Sequence, residues 1–231
     1  YYWSDYGYQD YFEPNGVSET TYRQYTEDSH YAENYFLHLY GEGGSKEIAS
    51  DKVTSTTLEK FILVEILQSS YDQLTDDQKT ARKQLMEENA KLINEGQKTF
   101  DQAYHEFNTS AEEHDHDDDK DSSETKPKYS HANVFGAKDT VYESEYFDKF
   151  KDYPVDQAKV YEMEDGSGCL LVVKRDLKSD KYYMENLDPI VRHLIADEEF
   201  DKEIDKFIKT LKVDKNNYAL KRLKVKKIKE L

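Results

Sequence analysis

The chain has 231 residues, a formal net charge of −17 and only 36% hydrophobic residues, enough length for one large core or two modest ones and a composition that leaves part of the chain solvated. An acidic balance this strong repels nucleic-acid phosphates and anionic lipid headgroups, which excludes both as default partners of the body and favours basic or apolar ones. The single cysteine, Cys169, excludes an internal disulfide and reads as a small core residue.

The first 16 residues gather tyrosines with Trp3 and Phe12 and close on the turn signal Glu13-Pro14-Asn15-Gly16. The chain opens on Tyr1-Tyr2-Trp3 with neither an initiator methionine nor a secretory signal, so it reads as a trimmed fragment or mature form. From Ser18, a capping residue, Tyr22, Tyr25, Ala32, Tyr35, Phe36 and Leu39 recur at three- and four-residue spacings, which predicts an amphipathic helix stopped by Gly41-Glu42-Gly43-Gly44. A connector rich in serine and threonine, Thr54 to Thr57, follows, and a domain boundary is expected near Ser55.

The next stretch organises the rest. Phe61-Ile-Leu-Val-Glu-Ile-Leu67 is apolar at every position but Glu65, too continuous for a strand with one wet face and too short for a membrane span. A charged Glu65 in such a strand requires a partner or an upward pKa shift. Thr75 and Gln78 have capping-box spacing and open a helix whose apolar positions include Ala81, Leu85, Ala90, Leu92 and Ile93. Gly96 ends or kinks it, and Phe100, Ala103, Tyr104 and Phe107 define a further helical face.

Residues 109–131, with Glu112-Glu-His-Asp-His-Asp-Asp-Asp119, hold almost no apolar surface and are expected to form a flexible insertion. Order resumes at Ala132-Asn-Val-Phe-Gly136. A helix over 142–153 turns Tyr146, Phe147, Phe150 and Tyr153 inward and ends before Pro154. Strands over 158–163 and 169–174 flank Asp165-Gly166, a hairpin signal. Residues 182–211 read as one long helix, or two joined near Asp197, with Pro189 tolerated near a helix start. Residues 218–228 alternate apolar and basic side chains like a strand or an extended arm, with a solvated face or a contact to acidic surface or lipid headgroups as its uses.

Few motifs carry chemistry. His114 and His116 lie among carboxylates but lack calcium-loop spacing, and His30, His38, His105, His131 and His193 have no serine or cysteine partner implied by a motif. No Walker loop, dinucleotide fingerprint or zinc-finger spacing occurs. No metal site and no cofactor are expected.

The order strand, charged helix, Ile93-x-x-Gly96, then Phe100-Asp101-x-Ala103 resembles the opening of a parvulin-type prolyl isomerase domain. With the flanking segments, Val17-Ser-Glu-Thr-Thr-Tyr22 to Tyr40-Gly-Glu-Gly-Gly44 and Asp197-Glu-Glu-Phe200 to Leu211-Lys-Val213, nearly the whole chain is similar to the extracytoplasmic PrsA-like and SurA-like foldases. The resemblance implies an α+β fold: a parvulin-like small sheet with helices, residues 56–177, inserted into a mainly helical chaperone module built from residues 1–55 and 178–231. It places the family's two active-site histidine motifs at Glu65-Ile66-Leu67 and Gly168-Cys169-Leu170-Leu171, where neither histidine is present. Phe135, Gly136 and Phe147 match family packing positions.

The resemblance therefore implies an extracytoplasmic folding factor of a bacterial envelope, anchored to the membrane through an upstream lipidated segment, that binds unfolded or extended polypeptide clients. Tyr22, Tyr25, Phe36, Leu194 and Phe207 are its client-binding candidates, and Glu65, Phe147 and Leu170 occupy the positions of the isomerase site, with weak activity or none expected. Two alternatives stand beside it: an active prolyl isomerase with a rearranged site using Glu65 or Tyr142, since bond rotation needs no nucleophile, and a non-catalytic surface protein whose acidic insertion binds cations or partners.

Overall fold

The computed structural model describes Tyr8 and residues 12–108 and 126–211. The expected basic arm at 218–228 and most of the first aromatic cluster lie outside the described residues.

Helix α1, Glu19–Tyr40, begins where the Ser18 hydroxyl accepts the Thr21 amide at 3.1 Å. It stops at Gly41 through close approach: a Cβ there would collide with the Leu37 carbonyl. Helix α2, Ser50–Lys60, occupies the stretch expected to be a connector. Its hydroxyls fold back onto the helix, Ser55 donating to the Lys52 carbonyl and Thr57 to the Val53 carbonyl, which removes their competition with backbone bonding. The boundary expected near Ser55 thus falls inside a continuous helix.

Strand β1, Phe61–Ser70, leads into α3, Asp76–Asn94, and α4, Phe100–Phe107. Both helices start with complete capping boxes, Thr75 with Gln78 and Thr99 with Gln102. From Lys126 the described residues lead into β2, Ala132–Gly136. The end of the expected insertion is tied down, since the Lys128 amide donates to buried Asp180 at 3.0 Å. Then come α5, Glu145–Phe150, shorter than its apolar pattern predicts, β3, Ala158–Glu162, β4, Gly168–Arg175, a 3₁₀ turn at Leu177–Ser179, and α6, Lys181–Thr210, which runs through Pro189 without a break. Among the described residues no helix is long and apolar enough to cross a membrane.

The fold is α+β. Its four strands form one antiparallel sheet in the order β2-β1-β4-β3. Both faces of β1 and β4 are covered, which is why these strands are apolar almost throughout. On one face Leu67, Cys169, Leu171 and Val173 pack with Met86, Ala90, Phe100 and Ala103 of α3 and α4. On the other, Ile62, Val64, Leu170 and Val172 pack with Phe147 and Phe150 of α5.

Residues Tyr1–Leu194 form one compact unit and Ile195–Leu231 a second. In the second, the described helical residues carry surface ion pairs, Glu198 with Lys202 and Glu203 with Lys206.

Candidate functional site

Three elements of the first unit surround a groove of about 900 Å³, within the size range of ligand-binding clefts. Helix α1 contributes Tyr22, Tyr25, Ser29 and Glu33, a stripe set by the 3.6-residue period. The first half of α6 faces it with Tyr182, Tyr183, Ile190 and His193. Strand β2 supplies Ala132, Asn133 and Val134 between them, and Tyr142 closes one side.

Long-range polar contacts fix these walls. The Tyr183 hydroxyl donates to the Ala132 carbonyl at 2.8 Å, and burial, with the Asp180 charge, pushes its pKa up, so it stays protonated and able to donate. His193 stacks on Phe36 with ring centroids 3.7 Å apart and meets Glu33 at 2.8 Å. Below them the Arg192 guanidinium donates to the carbonyls of Tyr40 and Ile48 at 2.7 and 3.1 Å and is held by Asp188. Tyr8 and Phe12 lie against Tyr22, centroids 5.3 and 4.9 Å away, extending the aromatic surface.

The floor is a sheet edge. The Ala137 amide bonds the Lys60 carbonyl, and in an antiparallel ladder this turns Asn133 and Phe135 toward β1 and Ala132, Val134 and Gly136 outward. The Ala132 carbonyl is taken by Tyr183, and the Gly136 amide and carbonyl are taken by the Tyr142 carbonyl and the Ser144 amide. Between them the backbone of Val134 faces the groove. The charged side chains of the lining are Glu33 and Glu185, with His30 and His193 beside them and neither lysine nor arginine. Chemically the groove offers aromatic faces, a negative rim and a short backbone edge, which together suit an extended peptide carrying aromatic or basic side chains.

Of the client-binding candidates, Tyr22 and Tyr25 line this groove. Phe36 is fully buried and acts from beneath, through its stack on His193. Leu194 is exposed but is not among the lining residues, and Phe207, also exposed, belongs to the second unit.

The isomerase-site candidates are not brought together. Glu65 pairs across the sheet with Val173 and so shares the face of α3 and α4, whereas Phe147 and Leu170 lie in the cluster on the opposite face. Glu65 is only 3% exposed. It accepts two hydrogen-bonding contacts from Arg175, at 2.6 and 2.7 Å, while Arg175 also holds Asp156 at 2.9 Å. Burial pushes the Glu65 carboxyl above its ordinary range, with Arg175 opposing the shift. Of the two expectations, a partner or an upward shift, this structural arrangement shows both.

Tyr182, Tyr183 and Val134 are groove residues that sequence reading did not single out. Leu187 and Ile190 lie at helical spacing in the sequence, but nothing local sets that face opposite Tyr22. Compared with models of protein families, with curated proteins and with solved structures, the chain matches none of them.

Proposed function

We propose that the protein is an extracytoplasmic folding factor that holds extended segments of unfolded polypeptide in the tyrosine-lined groove. The observation that carries this reading is the meeting of α1, the start of α6 and the outward edge of β2 around one aromatic cleft. A client backbone pairs with Val134 and its side chains lie against Tyr22, Tyr25, Tyr142 and Tyr182, a mode of strand addition in which main-chain bonds supply sequence-independent affinity. Glu33 and Glu185 favour clients with basic residues beside the aromatic ones. Membrane anchoring through an upstream lipidated segment belongs to the same reading.

In this proposal the four-stranded domain is parvulin-like and serves binding more than bond rotation. Its support is the adjacency of β1 and β4, the strands that match the family's opening and closing motifs, together with the intervening helices. The positions that correspond to the family histidines hold Glu65 and Leu170 on opposite sheet faces, which supports weak isomerase activity or none. Suppression of aggregation of a chemically unfolded client at near-equal concentration tests the reading: protection is expected, and it diminishes in a Tyr22→Ala/Tyr25→Ala variant. Absence of protection by the unmodified chain overturns it. A protease-coupled proline peptide assay is expected to give turnover close to the thermal rate.

A further inference from the structure

We propose that Asp101, His105 and His131 form a zinc-binding site. Asp101 and His105 stand one turn apart on α4, and His131 comes from the residue just before β2. One ligand atom from each lies within 4.8 Å of the others. The Asp101 Oδ1 atom is 3.4 Å from His105 Nε2 and 2.9 Å from His131 Nε2. Zinc takes carboxylate oxygen and imidazole nitrogen at about 2.0–2.1 Å in a tetrahedron, which separates neighbouring ligand atoms by about 3.3–3.4 Å. Both separations from Asp101 therefore stand within about half an ångström of the spacing that a shared ion requires, and the two imidazoles lie close enough, within 4.8 Å, to turn toward it.

The donor set selects the ion. Two imidazoles and one carboxylate suit a borderline cation such as zinc, whereas calcium and magnesium require oxygen ligands in greater number. The surroundings orient the ligands: the Tyr104 ring stacks on His131 with centroids 3.9 Å apart, and the Ser130 hydroxyl donates to Asp101 Oδ1 at 3.3 Å. The His131 side chain is 13% exposed, while those of Asp101 and His105 are about half exposed. The cluster thus has a fixed inner member and an open outer side, which leaves the fourth position to water. Without an ion, Asp101 accepts a hydrogen bond from His131 and the cluster is a polar staple. With one, α4 is bound to the residue that leads into Ala132, a wall of the groove. The inference stands apart from the folding-factor reading, since it rests on other residues and another chemistry.

The sequence between His105 and His131 contains two more histidines, His114 and His116, among carboxylates, so the test must separate the two sources of affinity. Isothermal titration of the full chain with Zn²⁺ is expected to give one ion per chain, retained in a His114→Ala/His116→Ala variant. Removing a direct ligand costs at least what removing an outer partner does, so His105→Ala is expected to weaken the affinity by about 100-fold or more. Co²⁺ is expected to show visible absorption of tetrahedral type in the unmodified chain and to lose it in His105→Ala, whose exposed position leaves folding intact by circular dichroism. His131→Ala serves as the second ligand variant. Absence of stoichiometric Zn²⁺ binding overturns the proposal, as does binding that survives His105→Ala and His131→Ala or vanishes in His114→Ala/His116→Ala.

Discussion

Arg192 donates to the carbonyl of Tyr40 at 2.7 Å across 152 positions of sequence. This single contact, doubled by the bond to Ile48, joins the end of α1 to the middle of α6. Tyr40 and Arg192 are both buried; replacing Arg192 by alanine removes the donor of the Ile48 carbonyl, at about 1–3 kcal/mol for an unsatisfied group, and the charged donor of the Tyr40 carbonyl, which keeps only the Ile48 amide. Arg192→Ala is expected to lower the unfolding free energy by roughly 3 kcal/mol, read from the denaturant midpoint. Lysine, lacking the planar fork, is not expected to restore it. A loss below about 1 kcal/mol contradicts this account.

Glu65 makes a second prediction, in pH. Burial raises its folded pKa above the ordinary value of 4.5, so between these two values the folded protein holds a proton that the unfolded chain releases. The contribution of this group to stability is complete below the ordinary value and is lost as pH rises through the raised one. Melting temperature measured against pH is expected to decline across that window more steeply in the unmodified chain than in Glu65→Gln. Parallel curves would exclude Glu65 as the source.

Asn94 acts as a substitute strand. Its side-chain amide donates to the Ala158 carbonyl at 3.0 Å and its oxygen accepts the Ala158 amide at 2.7 Å, on the outer side of edge strand β3. Such a contact blunts an edge that is otherwise open to pairing with another chain. Asn94→Ala is expected to cost about 1–3 kcal/mol and to speed hydrogen exchange at Ala158. Unchanged exchange at that amide would show that α3 does not guard this edge.

Tyr25 separates binding from folding. It is 69% exposed, so Tyr25→Ala is expected to change stability by less than about 0.5 kcal/mol. Loss of one aromatic anchor is expected to weaken binding of an extended peptide rich in tyrosine and lysine by about 1 kcal/mol, roughly fivefold in Kd. Fluorescence anisotropy of a labelled peptide measures the second effect and thermal unfolding the first. Equal affinities would remove Tyr25 from the binding surface.

Much of the fold could be read where one local force dominates. The apolar run of β1, broken only by Glu65 between Phe61 and Leu67, the Thr75 cap, the Asp165-Gly166 turn and the stop at Gly41 each follow from nearby residues alone. Helix α2 runs against its local signals, because serine and threonine disfavour helices unless their hydroxyls bond back to the backbone, as Ser55 and Thr57 do. The groove was half legible: periodicity marked Tyr22 and Tyr25 as one face, but its opposite wall depends on the Tyr183 bond to Ala132, 51 positions away. Glu65 stands out in its apolar run, yet only the pairing of β1 with β4 sets Arg175 beside it. Asp101, His105 and His131 were likewise invisible as a group, because 30 residues separate the first from the last.

The return of the chain beside its own departure point has a practical meaning. His131 touches Asp101 at 2.9 Å and Lys128 is bonded to Asp180, so the residues that follow the acidic stretch are held by the folded body, close to the helix that precedes it. A reporter domain whose termini lie close together, grafted in place of residues 109–125, would therefore re-enter the fold through residues anchored by Asp101 and Asp180.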